Sequence, residues 1–157
     1  MTPSMAARVR SMLEAAGLTA GFICQGLFWD DSGNKTDAFM VFKPGGGGIL
    51  RQDEGGAYIV QLDVIGAINK DNYTSNAAMR IIDYVQDNPV SDPCIGYIES
   101  YGMPQPMQTA EGRAVFPLRF RCVYGDLIQL TPSRLPYGGL FILRGNTCKA
   151  VQMITAS

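Results

Sequence analysis

Histidine is absent from all 157 residues. Its absence removes the Ser-His-Asp and Cys-His arrangements, imidazole ligation of zinc and the commonest general base at neutral pH. Asp, Glu, Lys, Tyr or Cys alone can still run an enzyme, so the expectation of catalysis falls without vanishing. No run of about 18 apolar residues occurs, so no segment reads as a membrane span. Neither sign of charge dominates: 13 Lys and Arg against 14 Asp and Glu leave a formal charge of -1. That balance gives no basis for general attachment to nucleic acid or to an anionic membrane. The four cysteines, Cys24, Cys94, Cys122 and Cys148, form no CxxC pair. The opening "MTPSMAARVRSMLEAAG" interrupts its apolar residues with charges, unlike a secretory signal. Both features lead us to expect reduced thiols and assembly in a cytoplasm.

What is present suits a folded domain. Hydrophobic residues make up 46 % of the chain and charged ones 17 %, enough to bury a core. Residues 3–16 fit an amphipathic helix, with Thr2 as a cap, Pro3 in the first turn, Gly17 as the stop, and Met5, Val9, Met12, Leu13 and Ala16 on one stripe. Residues 17–36 read as irregular, with a turn at "DDSGNK". Phe28 and Trp29 precede that turn as core residues, loop anchors or interface residues, the core being favoured. "DAFMVF" at 37–42 suits a strand buried on both sides. In 57–68, Tyr58, Val60, Leu62 and Val64 face one way and Gln61 and Asp63 the other. A second helix, 72–89, is expected to be capped by Asn72 or Thr74, to point Ala78, Ile81, Ile82 and Val85 inward, and to end at Asn88-Pro89. Strands follow at 94–102 and at 113–124, where Ala114, Phe116, Leu118, Phe120, Cys122 and Tyr124 alternate with Arg113, Val115, Pro117, Arg119 and Arg121. Pro117 lacks a ladder donor, which predicts an edge strand or an adjacent irregularity. The order predicts an α+β fold: a mainly antiparallel, optionally mixed sheet of four to five strands with two packed helices. Residues 1–125 are expected to form the compact domain, and 126–157 a β-rich extension or arm.

The stretch "KPGGGGILRQDEGG" (43–56) raises the question of a phosphate loop. Such a loop carries its Lys and hydroxyl after the glycines, at a helix start. Here Lys43 precedes them and a strand follows, so a hairpin tip is the better reading. Four consecutive glycines are costly to order, and the loop is expected to be mobile in the free protein. Lys43, Gly45, Gly46, Gly47, Gly48, Arg51, Asp53 and Glu54 become candidates for a loop that orders on a partner. The carboxylates show neither catalytic pairing nor a metal-ligand motif, and no cofactor is implied. Asp63 is set apart, because a charge on a central-looking strand needs a partner. Arg113, Arg119 and Arg121 give the last strand one basic side. That side is either solvated, with Asp63 or Glu99 paired across strands, or a contact between subunits or lining for passing DNA. In "YIESYGMPQPM", Tyr101, Met103 and Met107 are the candidates for exposed contacts.

"RIIDYVQDNP" (80–89), followed by "IESYGMPQPMQTAEGRAVFPLRFRCVYG" (98–125), resembles the tail terminator, or tail completion, proteins of long-tailed bacteriophages, over roughly residues 5–125. The "NP" ending a helix and the "EGR" entering a final amphipathic strand carry the likeness. The resemblance implies a compact α/β domain that assembles as a homo-oligomeric, sixfold ring on the head-proximal end of the tail tube. Such a ring stops tube growth and offers a surface to the head–tail connector. Its partners would be further copies of itself, the tail tube protein and the connector, with DNA passing through the lumen unread and no membrane involved. By analogy Arg113, Arg119 and Arg121, with Asp63, would face a neighbour or the lumen. Two alternatives remain: another head–tail joining or tube-associated virion protein, and a small hydrolase that needs no histidine. The enzyme predicts a pocket of converging polar groups; the ring predicts extended contact surfaces.

Overall fold

A computed structural model describes residues 4–47, 56–90 and 95–124. Helix α1 runs Met5–Ala15. Its cap is Ser4, whose side chain accepts a hydrogen bond from the Ala7 amide at 3.2 Å, so the expectation of Thr2 is corrected. Gly17 takes the left-handed conformation (φ 71) that closes the helix. The Gly17 and Leu18 amides donate to the carbonyls of Glu14 and Leu13, each at 3.0 Å, a reversal that a Cβ would hinder.

Strand β1, Ile23–Gly26, lies within the region expected to be irregular. Strands β2 (Phe39–Gly47) and β3 (Gly56–Ile65) form the expected hairpin. Helix α2 (Asp71–Asp87) follows, then β4 (Tyr97–Ser100), a two-residue β5 (Met107–Gln108) and β6 (Ala114–Tyr124). The sheet therefore has six strands where four or five were expected. Lys70 occupies the N-cap of α2 and makes no side-chain cap. Thr74 instead turns inward, fully buried, and donates its hydroxyl to the Lys70 carbonyl at 2.9 Å. Neither Asn72 nor Thr74 is the cap. The helix ends before Pro89 as the sequence predicts, with Asn88 at its C-cap.

The strand order is β1-β2-β3-β6-β4, with β5 also paired to β6; β1 runs parallel to β2 and every other pair is antiparallel. β6 is thus interior, and the edge position inferred from Pro117 is corrected. The irregularity is real: β4 pairs with residues 120–123 and β5 with 114–115, so the second neighbour of β6 breaks beside Pro117.

Both helices cover one face of this sheet. Val9 and Leu13 of α1, and Ala78, Ile81 and Val85 of α2, pack on Met40, Leu62, Val64, Leu118 and Phe120, all buried. Each such large side chain contributes about 1.5–3 kcal/mol on leaving water. On the opposite face a smaller cluster of Phe39, Val41 and Ile65 lies against Trp29 and Val115. Phe39–Phe42 are therefore buried on both sides, as their unbroken apolar run predicts.

Candidate assembly surface

The face without helices is built by register. Val41, Asp63 and Pro117 form one row across β2, β3 and β6; Lys43, Gln61 and Arg119 form the next; Ile59, Arg121 and Glu99 the one beyond. The loop before β2 covers one end of this face through Trp29, whose ring meets Phe39 edge-on at 6.1 Å. Toward the other end Arg119 and Arg121 are exposed.

Asp63 finds its partner in Lys43, one strand away, with Gln61 donating to the same carboxylate at 2.8 Å. Lys43 therefore belongs to a paired strand. Gly45, Gly46 and Gly47 also lie in β2, where the register shifts between Pro44 and Gly47. The hairpin loop begins later than expected, and this part of the candidate loop is corrected to sheet. At Gly45 an added Cβ would approach Ile59 Cγ2 to 2.8 Å, so glycine there permits the close passage of β3. Gly48, Arg51, Asp53 and Glu54 lie outside the described residues.

The three arginines divide. Arg121 pairs with Glu99 at 2.8 Å across β6 and β4, the cross-strand partner considered from the sequence. The bond to Glu99 raises its pKa further. The Arg119 side chain is exposed and makes no hydrogen bond or ion pair with another described residue. Arg113 is fully buried. Its guanidinium donates to the backbone oxygens of Asp37 (2.7 Å), Asn34 (2.9 Å) and Gly66 (3.3 Å), meets the Asp31 carboxylate at 3.2 Å, and lies 5.6 Å from the Phe39 ring centre. The placement of Arg113 at an interface or lumen is corrected. Alternation put it on the right face, but the 27–38 loop covers that end of the face, and the arginine is what fastens the loop.

Large apolar side chains are exposed at both margins of the sheet. At the β4–β5 margin Tyr101, Met103 and Met107 are 63 %, 69 % and 56 % exposed, with Tyr97 beside them. At the β1 margin stand Ile23, Leu27 and Phe28; Phe28 is 82 % exposed, which corrects its reading as core. This second margin was missed because four residues of "ICQG" carry too little alternation to mark a strand. Leu27 at positive φ (67), where a bulky residue is uncommon, holds the chain in the bend after β1.

The chemistry available is modest. Among the described residues no three His, Cys, Asp or Glu side chains gather as metal ligands. Burial raises the pKa of Cys24 and pushes Cys122 up to about 12, so both are protonated thiols at neutral pH and weak nucleophiles. A cavity of about 620 Å³ between α1 and the β2–β3 hairpin is apolar in lining with Arg10 as its charged member. Polar reactive groups do not converge in it.

A family model described as phage tail termination protein matches residues 2–126. The chain belongs to the phage tail termination protein family. No curated protein matches the sequence at a significant level. The match runs from α1 through β6 and takes in every element described above, including both apolar margins and the arginine-fastened loop. Membership makes this a structural component of a bacteriophage tail that meets other tail components. Its working parts are thus sought on surfaces, where the two margins stand out.

Proposed function

We propose that copies of this chain close into a ring, sixfold by its resemblance to the family, on the head-proximal end of the tail tube. The ring ends tube polymerisation and presents its far side to the head–tail connector. The observation that carries this reading is the pair of unlike apolar margins on opposite sides of one sheet: Ile23 and Phe28 beyond β1, Tyr101, Met103 and Met107 beyond β4. A head-to-tail contact between two different patches generates a ring when its rotation closes. Apolar and aromatic side chains are the usual anchors of such contacts. The open sheet face, with Arg119 and the Arg121–Glu99 pair, would then turn toward the tube, the connector or the lumen. Growth stops because the tube-facing side fits the last tube ring while the other side does not repeat it.

The test uses two variants of the full chain. Phe28→Asp spoils one margin and Met103→Asp the other, so each alone should be monomeric. Mixed, they keep one good margin each, and heterodimers should form without growing further. Rings persisting in either variant, or no association in the mixture, would remove the head-to-tail contact. Both positions are exposed, so folding should survive; circular dichroism checks it.

A further inference from the structure

The groove between the first turn of α1 and the end of the β2–β3 hairpin meets the β1 margin at Leu27, and its other apolar walls have no use in the reading above. It encloses about 620 Å³, with Met5, Leu27, Phe42, Pro44, Tyr58 and Val60 among its walls and Arg10 as its charged residue. Met5 and Ala6 belong to α1, and Phe42, Tyr58 and Val60 to the helix-covered face of β2 and β3. An apolar concavity of this kind is costly to leave in water and marks a binding surface.

The chain itself supplies an occupant. The described residues end at Tyr124, which pairs with Gly56, two positions from the register pair Cys122–Tyr58. Tyr58 is a wall of the groove. The chain therefore leaves β6 at the hairpin end of the sheet, one strand from the groove, with residues 125–157 still to place. Strands lie about 4.8 Å apart, so a few extended residues, at roughly 3.3 Å each, cross the distance. This remaining segment holds "LFIL", Leu140–Leu143, an unbroken apolar run. The runs at 127–130 and 150–154 are each interrupted by a glutamine.

We infer that Leu140–Leu143 of the same chain docks in this groove. The occupant is the chain's own segment because its exit beside the groove holds the run there at an effective concentration that a separate molecule must match from solution. The inference is independent of ring formation.

Disulfide trapping in the full chain tests it. Ala6→Cys on the groove wall is combined with Ile142→Cys, with native Cys94 and Cys148 replaced by Ser. Ser11→Cys, exposed on α1, replaces the groove partner as control, and Leu50→Cys replaces Ile142→Cys to probe the hairpin as a rival occupant. Mild oxidation should join 6 to 142 within one chain, at least about tenfold faster than 11 to 142, as expected for a docked segment. Equal rates, a faster link from 6 to 50, or links only between isotopically distinct chains would overturn the inference. In the unmodified protein, methyl NOEs between Leu140–Leu143 and Val60 should be present. Their absence with both sets of signals assigned would overturn it equally.

Discussion

The Arg113 guanidinium donates to the Asp37 carbonyl at 2.7 Å, joining the residue that precedes β6 to one two positions ahead of β2. Further bonds to Asn34 and Asp31 make this one side chain the fastening of a whole loop. A fully buried charge survives only when so surrounded. Removing one partner of such a network costs about 3–5 kcal/mol. Arg113→Met should therefore lower stability by roughly that amount in urea unfolding, and should open the 27–38 loop to limited proteolysis. Arg113→Lys should recover little, because an ammonium cannot spread its donors over the same carbonyls. Unchanged proteolysis in Arg113→Met would mean that the loop is held by Trp29 alone.

Gly66 is a second point where packing leaves no margin. A Cβ there would overlap the Thr74 hydroxyl and lie 3.1 Å from Thr74 Cβ, while Thr74 is locked by its bond to the Lys70 carbonyl. Gly66→Ala should cost about 1–3 kcal/mol as overpacking. The double change with Thr74→Ala should cost less than the sum of the two single ones, measurable as a coupling in denaturant unfolding. Simple additivity would place the strain elsewhere.

The thiol of Cys122 gives a pH signature. Burial pushes it up to about 12 from an ordinary value of 9.0. Above pH 9 the unfolded chain loses this proton while the folded one keeps it. Stability from the buried thiol is therefore intact below about pH 9 and falls until about pH 12. Between pH 9 and 11 the wild type should lose on the order of 2 kcal/mol more than Cys122→Val. Parallel stability curves for the two proteins would contradict this assignment.

The exposed arginines should behave differently from the buried one. Arg121 and Glu99 form an exposed pair, and water screens such pairs so that they add little to stability. Arg119→Gln with Arg121→Gln should barely move the melting temperature, yet weaken assembly on tail tubes in sedimentation. A loss confined to thermal stability would return both residues to a solvated surface.

Much of this architecture was legible in the sequence, and the failures share a cause. Period-two alternation in 113–124 placed Arg113, Arg119 and Arg121 on one face, and the register agrees. What alternation cannot see is which end of a face a distant loop covers, and that decides burial for Arg113. The same limit hid the inner role of Thr74, a good capping residue by type that packs under Gly66 instead. Strand β1 escaped because four residues paired in parallel on one side alone need no strong pattern of their own. Among the candidate contacts, Tyr101, Met103 and Met107 lie on the surface as a loop rich in proline and methionine suggests. Lys43 and Gly45–Gly47 do not belong to a free loop, because pairing with β3 continues past Pro44.

The mass of the full chain in solution, followed by native mass spectrometry over a wide concentration range with and without purified tail tubes, tests the central claim most directly. The account predicts a closed ring of six copies, bound at one end of each tube. A monomer at every concentration, leaving tubes uncapped, would contradict it.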